Sequence, residues 1–283
     1  MTIHSAPTAT ADLVAAVSDR LTPTERRIAE AVLAEPTLLA FGTVSDLADQ
    51  VGTSRPSIVR FANKLGFGGY TELQGHVRNG LSHQLSRPSD RIRHDDPTMV
   101  QAKEALDDAI ASVFESVDGD RLATLAGPIV RATSVWIVSG ETSRAGAYAL
   151  YSGVAMIRPG VHLVEGHTAG TDLSSAGPGD TAVIFDFPRY RSQAIVEARI
   201  LAALGVEIVA ITDGPFSPLA GLTDTWCGLR IPAIGPFDSS VPAVAIAELL
   251  VAQIAKDLHD EATDRIDRIE QLWAATETFL ADD

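Results

Sequence analysis

One cysteine, Cys227, stands in 283 residues. An internal disulfide is therefore excluded, and the apolar, strand-like run around Cys227 suits a buried structural thiol better than a nucleophile. Long hydrophobic runs are missing too, for no stretch reaches the ~18–20 apolar residues of a membrane span. The opening MTIHSAPTATADLV has no basic patch followed by an apolar segment, so no secretory leader is expected. These absences point to a cytoplasmic chain with no membrane partner. Basic residues are scarce, with 22 Lys and Arg against 37 Asp and Glu and a net charge of −15, a balance that by itself disfavours nucleic acid. The deficit is uneven, however. Residues 1–93 hold ten basic and nine acidic side chains, residues 94–283 hold twelve and twenty-eight, and within 55–93 seven basic residues meet two acidic ones. The acidity belongs to the C-terminal part, and one N-terminal stretch is locally cationic.

What is present is enough apolar material, 46% of the chain, for two domains with separate cores. The pattern is clearest in Val44–Gly66, VSDLADQVGTSRPSIVRFANKLG. Val44, Leu47, Ala48 and Val51 share one helical face, capped by Thr43 or Ser45. Gly52 breaks that helix, Ser54 caps the next, and Pro56 fits its first turn. Ile58, Val59, Phe61, Ala62 and Leu65 are expected on the buried face of the second helix. Ser54, Arg55, Ser57, Arg60, Asn63 and Lys64 are left outside, with no acid among them. Arg and Lys suit phosphates and guanine edges, Asn suits adenine, and Ser suits either, as a major-groove reading helix requires. Two amphipathic helices joined by a glycine have the same spacing without binding DNA; the acid-free outer face favours the helix-turn-helix. Around this pair, Thr22-Pro23-Thr24-Glu25 starts a helix that stops before Pro36. Leu13–Leu21 and Leu38, Leu39 and Phe41 form short apolar elements, and a last helix runs from about Thr71 to Leu85.

Residues 86–97, SRPSDRIRHDDP, hold two prolines and almost nothing apolar, and are expected to be a linker. Helices carrying Leu106–Val117 and Asp120–Arg131 follow. From Ser134 onward, short apolar runs alternate with helical stretches: VWIV, then 143–157; VHLV, then 173–176; TAVIFDF, then 193–204; VEIVAIT, then 217–222; TWCGLRI, then 241–258. Consecutive apolar strands separated by helices imply α/β architecture, a doubly wound five-stranded parallel sheet covered on both faces. A charged amphipathic helix, Asp264–Phe279, closes the chain. The expected division is 1–85 all-α and DNA-binding, 86–97 linker, 98–259 α/β, and 260–283 C-terminal helix.

The run from LTPTERRIAEAVLAEP through TVSDLADQVGTSRPSIVRFANKLGFGGYTELQ resembles the N-terminal domain of RpiR-type transcriptional regulators. Arg60-Phe61, Lys64-Leu65-Gly66-Phe67 and Gly69-Tyr70 are its most specific part. Residues 105–258 resemble, more weakly, the phosphosugar-binding SIS domain that accompanies it. The resemblance implies a double-stranded DNA operator, a small anionic metabolite such as a sugar phosphate as effector, and a homodimer or homotetramer, with no cofactor and no metal. After the first strand, Ser139, Gly140, Thr142 and Ser143 form a glycine turn with three hydroxyls leading into a helix N-terminus. That arrangement suits an anion and equally suits an ordinary capped turn. After the third strand the family has a loop of the form Ser-x-Ser-Gly-x-Thr. This chain has Asp186-Phe187-Pro188-Arg189-Tyr190-Arg191-Ser192 instead. Arg189 and Arg191 are expected to converge with Ser143 on the effector's anion. Two alternatives stay open: a sugar-phosphate isomerase, with Glu141, Glu165, His162 or His167 as base, and a second domain that only oligomerises.

Overall fold

The computed structural model describes residues 13–14, 17–34, 39, 43–85, 88–94, 97–214 and 217–279, and the chain divides between Arg93 and His94 into two compact units. The first unit is helical. After a 3-10 turn at Ser18–Arg20 come α1 (Pro23–Ala34), α2 (Val44–Val51), α3 (Arg55–Lys64) and α4 (Tyr70–Leu85). Its core is built from Ile28, Val32, Leu47, Ile58, Phe61 and Leu73, with Phe67 and Tyr70 packed at the edge. Of the apolar element expected at 38–41, only Leu39 lies within the described residues, and it is buried. Inside the stretch expected as a linker stands a short helix, α5 (Pro88–His94).

The second unit opens with α6 (Met99–Ser116) and α7 (Gly119–Arg131). The sheet comprises β1 (Val135–Ser139), β2 (Val161–Leu163), β3 (Thr181–Phe185), β4 (Glu207–Thr212) and β5 (Trp226–Gly228), all parallel, in the order β2-β1-β3-β4-β5. Between them run α8 (Arg144–Ile157), α9 (Ala169–Leu173) and α10 (Ser192–Ala203); α11 (Val241–Leu258) and α12 (Asp260–Ala275) follow. The sheet is covered on both faces, as its strand composition requires. Ile137, Val183, Phe185, Val209 and Ile211 point towards the layer containing α7, α8 and α11. Trp136, Val138, Ala182, Ile184, Ile208 and Ala210 point the other way, towards α9 and α10. The alternation follows the two-residue period of a strand. Successive crossovers leave β1 on opposite sides at β2 and β3, so the order reverses at the β1–β3 pair.

Several boundaries differ from expectation. The helix after β2 begins at Ala169 and ends at Leu173 rather than occupying 173–176; Thr168 anchors the turn before it, its Oγ1 donating to the Asp172 carboxylate at 2.6 Å. Residues 217–222 form only a 3-10 turn, Ala220–Leu222, and β5 holds three residues rather than seven. A small antiparallel hairpin, β6 (Ala233–Ile234) with β7 (Phe237–Asp238), precedes α11 and had no clear signal in its Pro- and Gly-rich sequence. The final helix starts four residues early. Arg265 pins it by donating from Nε and Nη2 to the Ala155 carbonyl at 3.0 and 2.9 Å, near the C-terminus of α8.

Candidate reading helix and effector cleft

The turn between α2 and α3 is built by short-range chemistry. Thr43 and Asp46 form a capping box on α2: the Asp46 amide donates to Thr43 Oγ1 at 3.2 Å, and the Thr43 amide to Asp46 Oδ2 at 2.8 Å. Gly52 closes α2 in the left-handed region, at φ 65°, where a side chain would be strained. Ser54 precedes α3, but its hydroxyl does not cap the helix. It lies 3.0 Å from Ser57 Oγ, which in turn accepts a hydrogen bond from Arg60 Nη2 at 3.0 Å. The three side chains form one polar chain along the helix.

Arg55, Arg60 and Asn63 are exposed on α3, Ser57 is half-buried, and Ile58, Phe61 and Ala62 are buried. Two expectations are corrected here. Val59, expected inside, is exposed, because it falls one turn from Arg55 and Asn63 on the outer face. Lys64, expected outside, turns back into the domain: its Nζ donates to Glu25 Oε2 at 2.7 Å and to the Arg20 carbonyl at 2.6 Å. Periodicity places Val59 and Lys64 near the boundary between the faces, where only the neighbouring helices decide.

In the second unit a cleft of about 450 Å³ opens outside the carboxyl ends of β1 and β3. This is the reversal point, the position where doubly wound sheets take their ligands. Ser139, Gly140, Glu141 and Arg144 line one side, Glu165 and His167 another, and Arg191, Gln193 and Glu197 a third. Arg144 is ion-paired with Glu165, and Gln193 Nε2 donates to Glu197 Oε1 at 2.9 Å.

The loop after β3 folds inward on its own carboxylate. Asp186 is fully buried and accepts from the Phe187 amide at 3.1 Å and the Arg191 amide at 2.8 Å. Burial pushes its carboxyl up to about 6; the two amide bonds and the Arg191 charge hold it back, while Asp213 adds to the rise. Tyr190 donates to Asp213 Oδ1 at 2.5 Å, and burial likewise raises the Asp213 carboxyl, against that hydrogen bond. Two amides of this loop and the Tyr190 hydroxyl are thus spent on internal carboxylates.

Of the expected effector residues, the fold brings Ser139, Gly140 and Arg191 to the cleft. Arg189 is exposed at φ 72° and is absent from the cleft lining, and so is Ser143, whose hydroxyl is buried with no hydrogen-bond partner among the described residues. Thr142 belongs to the 3-10 turn Glu141–Ser143 that leads into α8. The expected convergence of Ser143, Arg189 and Arg191 is therefore not what the fold builds. Of the acid–base candidates, Glu141, Glu165 and His167 line the cleft, whereas His162 stacks on Trp136 with ring centroids 4.4 Å apart. Among the described residues no group of three or more His, Cys, Asp or Glu side chains is placed to hold a metal ion, and no helix is long and apolar enough to cross a membrane.

Residues 10–84 match the family model for the helix-turn-helix domain of the rpiR family, and residues 140–253 match that for the SIS domain. The chain belongs to the RpiR-type transcriptional regulators. A relative of this regulator, named an uncharacterised HTH-type transcriptional regulator, occurs in Caldanaerobacter subterraneus subsp. tengcongensis. It is 24% identical over 244 residues, which span 85% of this chain and 83% of the relative. YfhH of Escherichia coli (strain K12), another HTH-type regulator by name, is 22% identical over 209 residues, 71% of this chain and 73% of its own. Among solved structures, the Vibrio vulnificus NanR protein complexed with ManNAc-6P has a TM-score of 0.57 at 18% identity, covering 96% of this chain and 99% of that one. The sugar isomerase domain of an RpiR transcription factor from Sphaerobacter thermophilus has a TM-score of 0.55 at 22% identity, covering 61% and 97%. At these identities the two structures speak for the fold of the RpiR-type chain. Arg144, Gln193 and Glu197 escaped the sequence reading of its cleft. The signal available for Arg144 was its place one residue after the hydroxyl turn, at the start of α8.

Proposed function

We propose that this RpiR-type regulator reads duplex DNA with α3 and senses a sugar phosphate, or a closely similar hydroxylated anion, in the β1–β3 cleft. Residues 1–85 contact DNA, 98–259 bind the effector and pair protomers as a dimer or tetramer, and 260–283 add the closing helix. Ser54, Arg55, Ser57, Arg60 and Asn63 carry the DNA contacts. The observation that carries the reading is the cleft itself: at the reversal point of a SIS sheet it offers Arg191, Ser139 and the Gly140 turn to an anion, and Glu141, Gln193 and Glu197 to hydroxyls. NanR, similar in fold, is seen with ManNAc-6P, which supports a phosphorylated sugar. Binding rather than turnover is the role assigned to the cleft, in the cytoplasm where the operator lies. An effector that prefers one arrangement of paired protomers then changes operator affinity by that preference.

A thermal-shift screen of the full chain against sugar phosphates, sugar acids and inorganic phosphate tests this, since a ligand of the native state raises the midpoint with concentration. The expected result is a hit among the sugar phosphates that also alters binding to duplex DNA. Silence across the panel overturns the effector reading. The second reading, an isomerase, rests on Glu141 and His167 in the cleft. Interconversion of any bound sugar phosphate during incubation would establish it.

A further inference from the structure

Lys64 is the last residue of α3, and Glu25 lies in the first turn of α1. The Glu25 carboxylate is fixed before Lys64 reaches it. Its Oε2 accepts from the Thr22 amide at 2.8 Å and the Thr22 hydroxyl at 2.9 Å, while the Glu25 amide returns a bond to Thr22 Oγ1 at 3.3 Å. This capping box is a property of α1 alone. Lys64 Nζ then adds a bond to the same Oε2 at 2.7 Å and another to the Arg20 carbonyl at 2.6 Å, at the end of the 3-10 turn that enters α1. Two of the three ammonium protons are thereby directed at protein acceptors. The pair is well shielded, with the Lys64 and Glu25 side chains 29% and 12% exposed. Arg60, one turn earlier, is exposed, and among the described residues its guanidinium bonds along its own helix to Ser57.

We propose that Lys64 is a positioning residue that clamps the C-terminal end of the reading helix to α1 through Glu25 and Arg20, and does not itself contact DNA. The proposal rests on the reading of α3 as the DNA-binding helix. A cation on such a helix invites assignment to a phosphate, but two of its three protons are already held by acceptors of the protein, which turn the ammonium towards α1. Holding the helix end instead fixes the angle at which Arg55 and Asn63 meet base edges. Base readout is sensitive to that angle, whereas the sequence-independent phosphate attraction is not.

The test uses the full-length protein and two duplexes of equal length, one selected by it from a random pool and one scrambled. Affinities are measured by fluorescence anisotropy over a series of salt concentrations. E25Q keeps the capping box, since glutamine serves there as well as glutamate, and removes the charge of the clamp. The expected result is that E25Q and K64M each lose about fivefold on the selected duplex, the upper range for an ion pair of this exposure, with the scrambled duplex and the salt slope unchanged. The double variant E25Q/K64M loses little more than K64M alone, since both changes remove the same contact. R60A, by contrast, weakens both duplexes and lowers the slope by about one. The proposal is overturned if K64M behaves like R60A, or if E25Q binds the selected duplex as the wild type does. A wild-type protein that selects no duplex overturns the DNA-binding reading and this role with it.

Discussion

Gly140 and Asp186 are in such close contact that a Cβ added to the glycine would lie 2.5 Å from the carboxylate Oδ1. The two residues follow β1 and β3 directly, and the Gly140 amide also donates to the Phe185 carbonyl at 3.1 Å. G140A must displace either the buried carboxylate or the Arg191 stem, whose Cγ would be 2.9 Å away. The expected loss is about 1–3 kcal/mol, as for other overpacked sites. Urea unfolding followed by tryptophan fluorescence measures it in the right unit, because Trp136, Trp226 and Trp273 all lie after residue 94.

The two arginines of the 186–192 loop should separate cleanly in effector binding. R191A removes a cleft-lining cation and is expected to weaken a sugar phosphate about 10- to 100-fold, the range for a charge-assisted hydrogen bond. R189A should change it less than about twofold, because Arg189 does not line the cleft. Isothermal titration of both variants with the ligand found by thermal shift decides the matter. Equal losses would restore the convergence expected from sequence.

Asp186 gives the second unit a pH dependence of known sign. Its carboxyl is raised from 3.8 to about 6 in the folded chain, chiefly by burial. The folded state therefore holds this proton more tightly than the unfolded one. Its contribution to stability is fully present below the unfolded value and is lost as pH rises through about 6. Urea midpoints should fall between about pH 4 and pH 6 and level off above that in the wild type, and this fall should flatten in D186N.

In the first unit the carboxyl of Glu25 moves the opposite way. Burial raises it, but the Lys64 and Thr22 hydrogen bonds outweigh that and leave it below its ordinary 4.5. Its contribution is present above the unfolded value and lost as pH falls through the lowered one. The acid limb of an unfolding curve monitored by amide exchange in α1 and α3 should shift to higher pH in K64M.

Gly52 tests the turn by backbone strain alone, since an added Cβ meets nothing within 4 Å. G52A is expected to lose about 1 kcal/mol, and G52N less, because asparagine tolerates the left-handed region better. Backbone amide exchange of the first unit reports both.

Sequence alone determined what depends on neighbours a few residues apart. The break at Gly52 follows from its tolerance of the left-handed region and the buried face of Ile58, Phe61 and Ala62 from a 3.6-residue period, whereas the choice of Thr43 over Ser45 as the cap, with Asp46 as its partner, was left to the structure. The runs around Val135–Val138, Ala182–Phe185 and Ile208–Ile211 are apolar on both faces and so announce strands buried on both sides. Tertiary structure decided what depends on residues far apart in the chain. The order β2-β1-β3-β4-β5 placed the cleft between Ser139 and Arg191. Lys64 became an internal clamp because Glu25, 39 residues earlier, was already fixed in its capping box. Arg189 and Arg191, two residues apart, parted: Arg191 lines the cleft, whereas Arg189, at a left-handed φ, does not. Local periodicity is encoded in steric and hydrogen-bonding preferences of each segment. Which charged or polar side chain meets which partner is chosen by the packing that closes the loops, where burial makes an unpaired group too costly to leave alone.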